Sequence, residues 1–229
     1  MPHGFSRSSF PLVTLERQIR FKLKIFFMDG WLRPKRPMNM LRLGTYYGGW
    51  WIPSVDPSEG AAVCVGAGLD VSFDLELQRL GYRVYTVDPT PASIEYVTRT
   101  APELTLVPLG VWEQVGELEF EQSGTYTDSW AIGTGDGRSN SVVSFPVTTV
   151  KELVASLDEG DLAILKLDIE GAEHAVIRSV IQDKMRPRCI CIEFDDQRLR
   201  KVLRSVRLLD HYGYDLYQIE NYNFTFVLR

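Results

Sequence analysis

A short apolar run that ends in acidic residues constrains the fold of this chain more than any other feature. Leu162–Leu167 have the composition of a buried strand, and Asp168, Glu170 and Glu173 follow it within six residues. A helix is predicted directly after them. Because parallel α/β proteins bind ligands outside the carboxyl ends of their strands, acidic groups gathered at such an end predict a binding site.

From residue 61 onwards the chain alternates between short apolar strands and amphipathic helices. The predicted strands are 61–65, 83–87, 104–109, 163–167 and 189–194, and the predicted helices are 72–80, 92–100, 148–157, 172–183 and 199–212. This alternation predicts an α/β fold with a parallel sheet and right-handed crossovers. Two aromatic, β-rich segments, Tyr214–Glu220 and Tyr222–Leu228, predict an antiparallel hairpin with its turn at Asn221.

Residues 111–146 follow a different pattern. Short strands are predicted at Glu117–Glu121, Ser129–Ile132 and Ser141–Val147, and clusters of Ser, Gly, Thr and Asp separate them. We interpret this segment as a small antiparallel insertion with a mobile loop. The helix that follows the insertion has Thr148 or Thr149 as its expected cap.

Glycines and aromatic residues are mixed in the stretch that precedes the first strand, residues 43–53. It contains Tyr46, Tyr47, Trp50 and Trp51. Two interpretations stand. The stretch is either a loop or short strand that closes over a ligand, or an aromatic plug between the N-terminal segment and the body. Both place it beside the first strand of the sheet.

The first 43 residues form a basic segment. They carry nine Lys and Arg against Glu16 and Asp29, a net charge of +7. Because the whole chain has a net charge of −5, the remaining residues have a net charge of −12. Apolar spacing predicts a helix over residues 8–28, although the alternation at 19–25 also permits a strand. Arg33–Pro37 is predicted to be a stiff linker.

A basic amphipathic helix near the N-terminus has two possible roles. It lies on an anionic membrane, or it packs on the acidic body as a lid, which the charge asymmetry favours. The predicted organisation is a basic helical segment or lid at residues 1–43 and one domain at residues 44–229. The acidic body argues against nucleic acid as the main partner.

Cysteine usage and hydropathy predict a cytoplasmic protein. Cys64, Cys189 and Cys191 are the only cysteines, and an odd number on apolar strands is typical of core positions in a reducing compartment. Their spacing does not match a zinc site. The sequence shows neither a signal-peptide pattern nor an apolar stretch long enough to span a membrane.

A glycine turn follows the first predicted strand. Gly66-Ala67-Gly68 lets the backbone approach a ligand, and Asp88 at the next strand end can accept hydrogen bonds from both hydroxyls of a ribose. The third glycine of a dinucleotide fingerprint is replaced by Val71, which favours an adenosyl ligand without a pyrophosphate. Asp70 would repel a pyrophosphate and attract a sulfonium or ammonium group. Asp70 is equally interpretable as a helix cap.

The acidic cluster allows a structural interpretation beside the functional one. Glu170 and Glu173 resemble a capping box at a helix N-terminus, where acidic groups are favourable. Asp168 lies at the strand tip and is the residue expected to face the ligand. Lys166 either pairs with a carboxylate of this cluster or extends outward. We predict that the ends of three strands meet around S-adenosylmethionine.

Glu193 ends the strand predicted to neighbour that of Asp168, so the two carboxylates are expected close together. They hold a divalent cation such as Mg²⁺, or one of them acts as a general base. A hydroxyl acceptor needs such help because an alcohol is a poor nucleophile at neutral pH. His174 is interpreted as a solvated or capping histidine rather than a catalytic one.

Several stretches resemble the FkbM-type methyltransferases over roughly residues 44–195. Leu165–Glu173 is similar to their Lys-x-Asp-x-Glu-Gly-x-Glu signature. The other similar stretches are Tyr47–Ile52, Val71–Asp74, Val87–Pro91, Leu109–Trp112 and Gly116–Phe120. The resemblance implies a Rossmann-like fold, S-adenosylmethionine as methyl donor, and usually O-methylation of small molecules such as natural products or sugars.

The chain departs from this family at the glycine turn. Many members have Asp-x-Gly-Ala-Asn where this chain has Cys64–Gly68, so the acid and the amide are absent. Asp70 is the expected compensation for the missing acid. The N-terminal forty residues match no family motif, so the methyl acceptor is not identified by the resemblance.

We therefore predict a single-domain class I methyltransferase with a central mostly parallel sheet, a C-terminal antiparallel hairpin and an N-terminal helical cap. The residues assigned to the cofactor are Gly66, Ala67, Gly68, Asp70, Asp88 and Val111, and those assigned to the acceptor are Asp168 and Glu193, with Glu170 behind them. A catalytically silent module that docks on a partner or membrane through its basic segment is the alternative. An NAD-linked oxidoreductase is disfavoured by Val71.

Overall fold

The structure is a computed structural model that describes residues 30–37, 39–122, 129–131, 141–195 and 198–229. The chain divides into two units, Met1–Arg33 and Pro34–Arg229, and the fold below is that of the second. The helix predicted over residues 8–28 lies outside the described residues. The domain boundary placed after residue 43 stays a prediction.

Strands make up most of the regular structure in the second unit. Those in the described residues are β1 Met40–Leu43, β2 Trp50–Pro53, β3 Ala61–Val65, β4 Val84–Val87, β5 Thr105–Val107, β6 Gly110–Val111, β7 Gly116–Gln122, β8 Ser129–Ala131, β9 Ser141–Thr148, β10 Leu162–Leu167, β11 Cys189–Glu193, β12 Tyr214–Glu220 and β13 Asn223–Leu228. Strand β5 is shorter than predicted because Pro108 has no N–H to continue the ladder.

Within the described residues the central sheet has seven strands in the order β12-β13-β11-β10-β3-β4-β5. The neighbours from β11 to β5 are parallel, and β13 runs antiparallel to both β11 and β12. Every residue of β3 and of β10 is buried. Continuous burial is expected of central parallel strands, because both faces of the sheet are covered. The predicted mostly parallel sheet and C-terminal hairpin are confirmed.

The helices alternate with the parallel strands as predicted. In the described part of the second unit they are α1 Ser72–Arg79, α2 Pro91–Thr100, α3 Val150–Ser156, α4 Glu173–Gln182 and α5 Leu199–Tyr212. Thr149 caps α3, because its side-chain oxygen accepts a 3.1 Å hydrogen bond from the Glu152 N–H. No helix among the described residues is both long and apolar enough to cross a membrane.

The insertion forms a smaller sheet, which in the described residues has the order β6-β9-β7-β8. Strand β7 pairs antiparallel with β8 and β9, as predicted, whereas β6 and β9 are parallel. The loop predicted to be mobile lies largely outside the described residues. Strand β6 supplies Gly110 and Val111, which are both buried.

Strands β1 and β2, in the stretch that mixes glycines and aromatic residues, form an antiparallel hairpin. Trp50 and Ile52 of β2 are buried in the core with Phe73 of α1. Tyr46 and Tyr47, in the turn of the hairpin, are each 90% exposed. The second strand thus packs into the core of the body, and the turn exposes two tyrosines, whereas a plug towards the N-terminal segment stays a prediction.

Candidate functional site

The parallel strands bring the predicted site residues to one edge of the sheet. Hydrogen bonds join the strand tips beyond the last paired residues: Gly66 N donates to Val87 O at 2.9 Å, and Asp168 N donates to Val65 O at 3.1 Å. A cavity of about 570 Å³ lies at this edge. Its lining includes every residue assigned to the cofactor or the acceptor: Gly66, Ala67, Gly68, Asp70, Asp88, Val111, Asp168, Glu170 and Glu193.

Gly66 occupies a position that no other residue fits. Its φ of +87° lies in the left-handed region, and a Cβ there would stand 1.8 Å from the carbonyl oxygen of Asp168. Gly68 also has a positive φ, +51°, but a Cβ at Gly68 would meet nothing within 4 Å. The first glycine therefore allows two strand tips to touch, and the second leaves the cavity open.

Asp88 holds the glycine turn in place. One carboxylate oxygen accepts hydrogen bonds from the N–H groups of Ala67 at 2.9 Å and Gly68 at 3.3 Å. The other accepts from the N–H of Thr90 at 2.8 Å and from its hydroxyl at 2.6 Å. All four common acceptor positions of the carboxylate are engaged. A ribose hydroxyl that binds Asp88 has to displace one of these donors.

Both carboxylate oxygens of Asp70 accept hydrogen bonds from other residues of the protein. Its Oδ1 accepts a 2.9 Å hydrogen bond from Ser72 N, and its Oδ2 accepts from the hydroxyl of Thr45. Partial burial acts to raise the pKa of Asp70, but the hydrogen bonds from Ser72 and Thr45 outweigh it and the pKa is lowered. Asp70 thus joins the start of α1 to the β1–β2 turn.

Lys166 is a buried cation at the cavity. Of its two predicted arrangements, pairing with a carboxylate of the acidic cluster and extension outward, the structure shows the pairing. Its ammonium donates to the carbonyl oxygen of Gly66 and lies 3.3 Å from a carboxylate oxygen of Asp168. Burial acts to lower the pKa of Lys166, but the negative charges of Asp168 and Asp74 prevail and raise it. The ammonium therefore ties the glycine turn to the strand tip that carries Asp168.

Asp74 is a second buried charged residue close to the site, and its role was not predicted from the sequence. It is 1% exposed, and Thr86 donates a 2.7 Å hydrogen bond to it. Burial raises its pKa to about 6, although the charge of Lys166 opposes this rise. The signal was an aspartate between the core residues Phe73 and Leu77 of an amphipathic helix, which needs a buried cation as partner.

The side of the cavity formed by the ends of β10 and β11 contains three neighbouring carboxyl groups, Asp168, Glu193 and Asp195. Burial, followed by the charges of Asp168 and Asp195, raises the pKa of Glu193 to about 8. Burial and the charge of Asp168 raise the pKa of Asp195 to about 7. Asp195 was not assigned a role from the sequence. Its position two residues after Glu193, on the same side of the extended chain, was the available signal.

Glu173 lies behind this group and is 0% exposed. One of its oxygens accepts a 2.6 Å hydrogen bond from Gly171 N. The other, and one oxygen of Asp195, have no hydrogen-bond partner among the described residues. Burial and the charge of Asp195 raise the pKa of Glu173 well above its usual value. Helix α4 has Ala172 at its N-cap and no side-chain hydrogen bond there. Of the predicted capping box, only the hydrogen bond from Gly171 N to Glu173 is present.

His174 is buried, so the interpretation of a solvated histidine is wrong. It is 7% exposed, its ring stacks on Phe194 at 5.1 Å, and its Nδ1 lies 2.8 Å from the hydroxyl of Ser205 in α5. Helix α5 packs against α4 at this point and excludes water. His174 belongs to the packing between these two helices.

The predicted metal site stays a prediction. Among the residues that the structure describes, no group of three or more His, Cys, Asp and Glu side chains is arranged to hold a metal ion. Asp168 is already paired with Lys166. Magnesium usually binds through one or two carboxylates and keeps several of its water ligands.

The charged groups that line the cavity suit a cationic ligand. Carboxyl groups line it on both sides, at Asp70 and at Asp168, Glu193 and Asp195, and Lys166 in its described lining is buried and paired with Asp168. A sulfonium or ammonium group is attracted by such a lining, whereas a pyrophosphate is repelled. The glycine turn supplies the close backbone approach.

The strand order and this site define a class I methyltransferase fold. The family model described as Methyltransferase FkbM domain matches residues 62–216, about two thirds of the 229-residue chain. The chain belongs to the FkbM methyltransferase family, and the resemblance seen in its motifs is confirmed. Comparisons with curated proteins and with solved structures gave no match.

Proposed function

We propose that this protein is an S-adenosylmethionine-dependent methyltransferase that O-methylates a hydroxyl group of a small molecule, such as a natural product or a sugar. One observation supports this proposal most: the cavity joins the glycine turn, Asp88 and the Asp168–Glu193 pair in a single space. Membership of the FkbM family supports the methyltransferase activity. The cytoplasmic location stays a prediction, with which the three buried, free cysteines agree.

The cofactor is assigned to the side of the cavity formed by β3, β4 and β6. Gly66-Ala67-Gly68 presents its backbone to the ligand, Asp88 stands where ribose hydroxyls are expected, and Val111 provides a buried apolar wall. When bound, the cofactor supplies an electrophilic methyl group on a positively charged sulfur.

The acceptor is assigned to the side of the cavity formed by the ends of β10 and β11. A hydroxyl must lose its proton as it attacks, so a group with a pKa near neutrality is the best base. Glu193, with a pKa raised to about 8 by burial and by the charge of the adjacent Asp168, meets this requirement. Lys166 keeps Asp168 in position, and the backbone of Glu170 does the same for Asp195.

Isothermal titration with S-adenosylhomocysteine tests the proposal without knowledge of the acceptor. We expect saturable binding with a 1:1 ratio. Absence of binding to the folded protein would refute the cofactor assignment. Transfer of a labelled methyl group to pooled hydroxylated natural products and sugars then tests the acceptor class, and labelling of amines alone would overturn O-methylation.

Asp168→Asn separates an enzyme from a silent docking module. The substitution keeps the shape of the side chain and removes its charge, so we expect at least a hundredfold loss of methyl transfer with binding of S-adenosylhomocysteine retained. Asp158→Asn, at an exposed position after α3, is the matched control and should leave transfer unchanged. Equal transfer by both variants would favour the docking module.

A further inference from the structure

The β1–β2 hairpin turn, Gly44–Gly49, is called here the tyrosine turn. Tyr46 and Tyr47 are each 90% exposed, yet both line the cavity together with Gly48. Large aromatic side chains at the mouth of a cavity are placed to contact what enters it. Whether the turn is a moving lid or a fixed wall decides how it selects an acceptor.

The backbone of the tyrosine turn is fastened from one side by Arg42. Its guanidinium donates to the carbonyl oxygens of Gly44 at 3.4 Å, Thr45 at 2.8 Å and Tyr46 at 3.1 Å. The same guanidinium forms a 3.0 Å ion pair with Glu220 at the end of β12. Three successive carbonyl groups are thus held by one side chain that is itself tied to the terminal hairpin.

Asp70 and its neighbours fasten the turn from the other side. Thr45 donates its hydroxyl to Asp70 and its N–H to the hydroxyl of Ser72 at 2.9 Å. The Thr45 hydroxyl also accepts a 3.0 Å hydrogen bond from Gly48 N. A Cβ on Gly48 would lie 2.7 Å from the Asp70 carboxyl carbon, so the two segments are in direct contact.

We propose that Asp70 and Thr45 are positioning residues that hold the tyrosine turn as a fixed wall of the cavity, and that Asp70 acts on the site through this turn rather than as a direct cofactor ligand. Both oxygens of Asp70 are occupied by protein donors, one by Ser72 N and one by Thr45. A ligand group would have to replace one of them. A fixed wall selects acceptors by shape before the cofactor is bound.

The test uses limited chymotrypsin digestion, with cleavage after Tyr46 and Tyr47 read by mass spectrometry, because chymotrypsin cuts exposed tyrosines only where the backbone opens. In the wild type we expect slow cleavage that S-adenosylhomocysteine changes less than twofold. Thr45→Val and Asp70→Ala should each accelerate it at least tenfold, and the double variant should be no faster than Asp70→Ala alone, because both changes remove the same contact.

Matched variants separate positioning from general stability. Thr45→Ser keeps the hydroxyl and should restore slow cleavage, and Thr100→Val, which removes a hydroxyl from the end of α2, should have no effect. Thr45→Val should change the dissociation constant of S-adenosylhomocysteine less than threefold, and so should Asp70→Ala.

Three results would overturn the proposal. They are unchanged cleavage in Thr45→Val, strong protection of the wild-type turn by S-adenosylhomocysteine, and a tenfold loss of its binding in Asp70→Ala but not in Thr45→Val. The inference rests on the proposed function for the choice of ligand only. A wild type that does not bind S-adenosylhomocysteine refutes that function, while the cleavage rates still decide the role of the turn.

Discussion

The two sides of the cavity differ in how far their polar groups are satisfied. On the side proposed for the cofactor, Asp88 accepts four hydrogen bonds and Asp70 accepts hydrogen bonds on both carboxylate oxygens. On the acceptor side, the pKa values of Glu193 and Asp195 are raised, and Asp195 has one oxygen without a described partner. The side proposed for the cofactor has its polar groups satisfied by the protein, whereas the side proposed for the acceptor keeps ionisable groups that the proposed proton transfer requires. Substitutions on the first side should therefore change geometry, and those on the second should change pH dependence.

Gly66→Ala should have the largest effect, because it disrupts the side proposed for the cofactor. The new Cβ would stand 1.8 Å from the Asp168 carbonyl oxygen, and the positive φ adds strain. We expect a loss of about 3 kcal/mol or more in unfolding free energy and no measurable S-adenosylhomocysteine binding. Gly68→Ala, with open space around its Cβ, should lose only about 1 kcal/mol. Urea denaturation measures both, and equal losses would contradict the packing argument.

Lys166→Met should have the next largest effect, because it removes the cation that joins the two sides. Asp74 would remain buried without its counter-charge, and breaking a buried pair costs about 3–5 kcal/mol. Adding Asp74→Asn to the variant should recover part of the loss, since the uncompensated charge is then gone. Urea denaturation of the single and double variants measures the coupling, and strict additivity would show that the two groups do not interact.

Glu193→Gln tests whether proton transfer belongs to the acceptor side. In the wild type, methyl transfer should rise with pH and level off above about pH 8, because Glu193 is a base only when ionised. The variant should be about 100-fold slower with this pH dependence lost, while S-adenosylhomocysteine binding is retained. The measurement is the rate of product formation with any hydroxyl compound that the transfer screen accepts. An unchanged pH profile would remove Glu193 from the reaction.

The smallest expected effect is the pH dependence of stability. Glu193 and Asp195 have folded pKa values of about 8 and about 7, above the ordinary values of 4.5 and 3.8. The folded state therefore binds more protons, so their contribution is complete below about pH 4 and is lost as pH rises to 8. Between pH 7 and 8 we expect a loss of about 1 kcal/mol in unfolding free energy. The decrease should be smaller in Glu193→Gln, and a rise with pH would contradict the sign.

The parts of the site that depend on strand order were predictable from the sequence. Gly66, Asp88 and Asp168 each follow an apolar strand, and parallel strands with helical crossovers place their carboxyl ends at the same edge. Lys166 stands opposite Cys64 in the register of β10 and β3, which the strand order does not set by itself. Asp74, the buried residue whose charge acts on Lys166, comes from α1, and the strand pattern does not place that helix.

The residues that were missed depend on packing between elements that are distant in sequence. Asp74 is buried because the face of α1 that bears it lies over Thr86 of β4, which helix periodicity alone does not reveal. His174 was misjudged because it follows an acidic first turn that resembles an exposed helix start. Only the arrival of α5, with Ser205 opposite, buries it. Asp195 lies beyond a strand end, where no periodicity predicts the path of the chain.

Strand β13 has a consequence for the biosynthesis of the protein. It pairs with β11 and sets Asn223 opposite Glu193, and both side chains line the cavity. A ribosome that has translated the chain only as far as α5 leaves the apolar β11 with an unpaired edge and the cavity without one wall. Such an edge invites pairing with another nascent chain. Methyl transfer should therefore begin only after the terminal hairpin has emerged and joined the sheet.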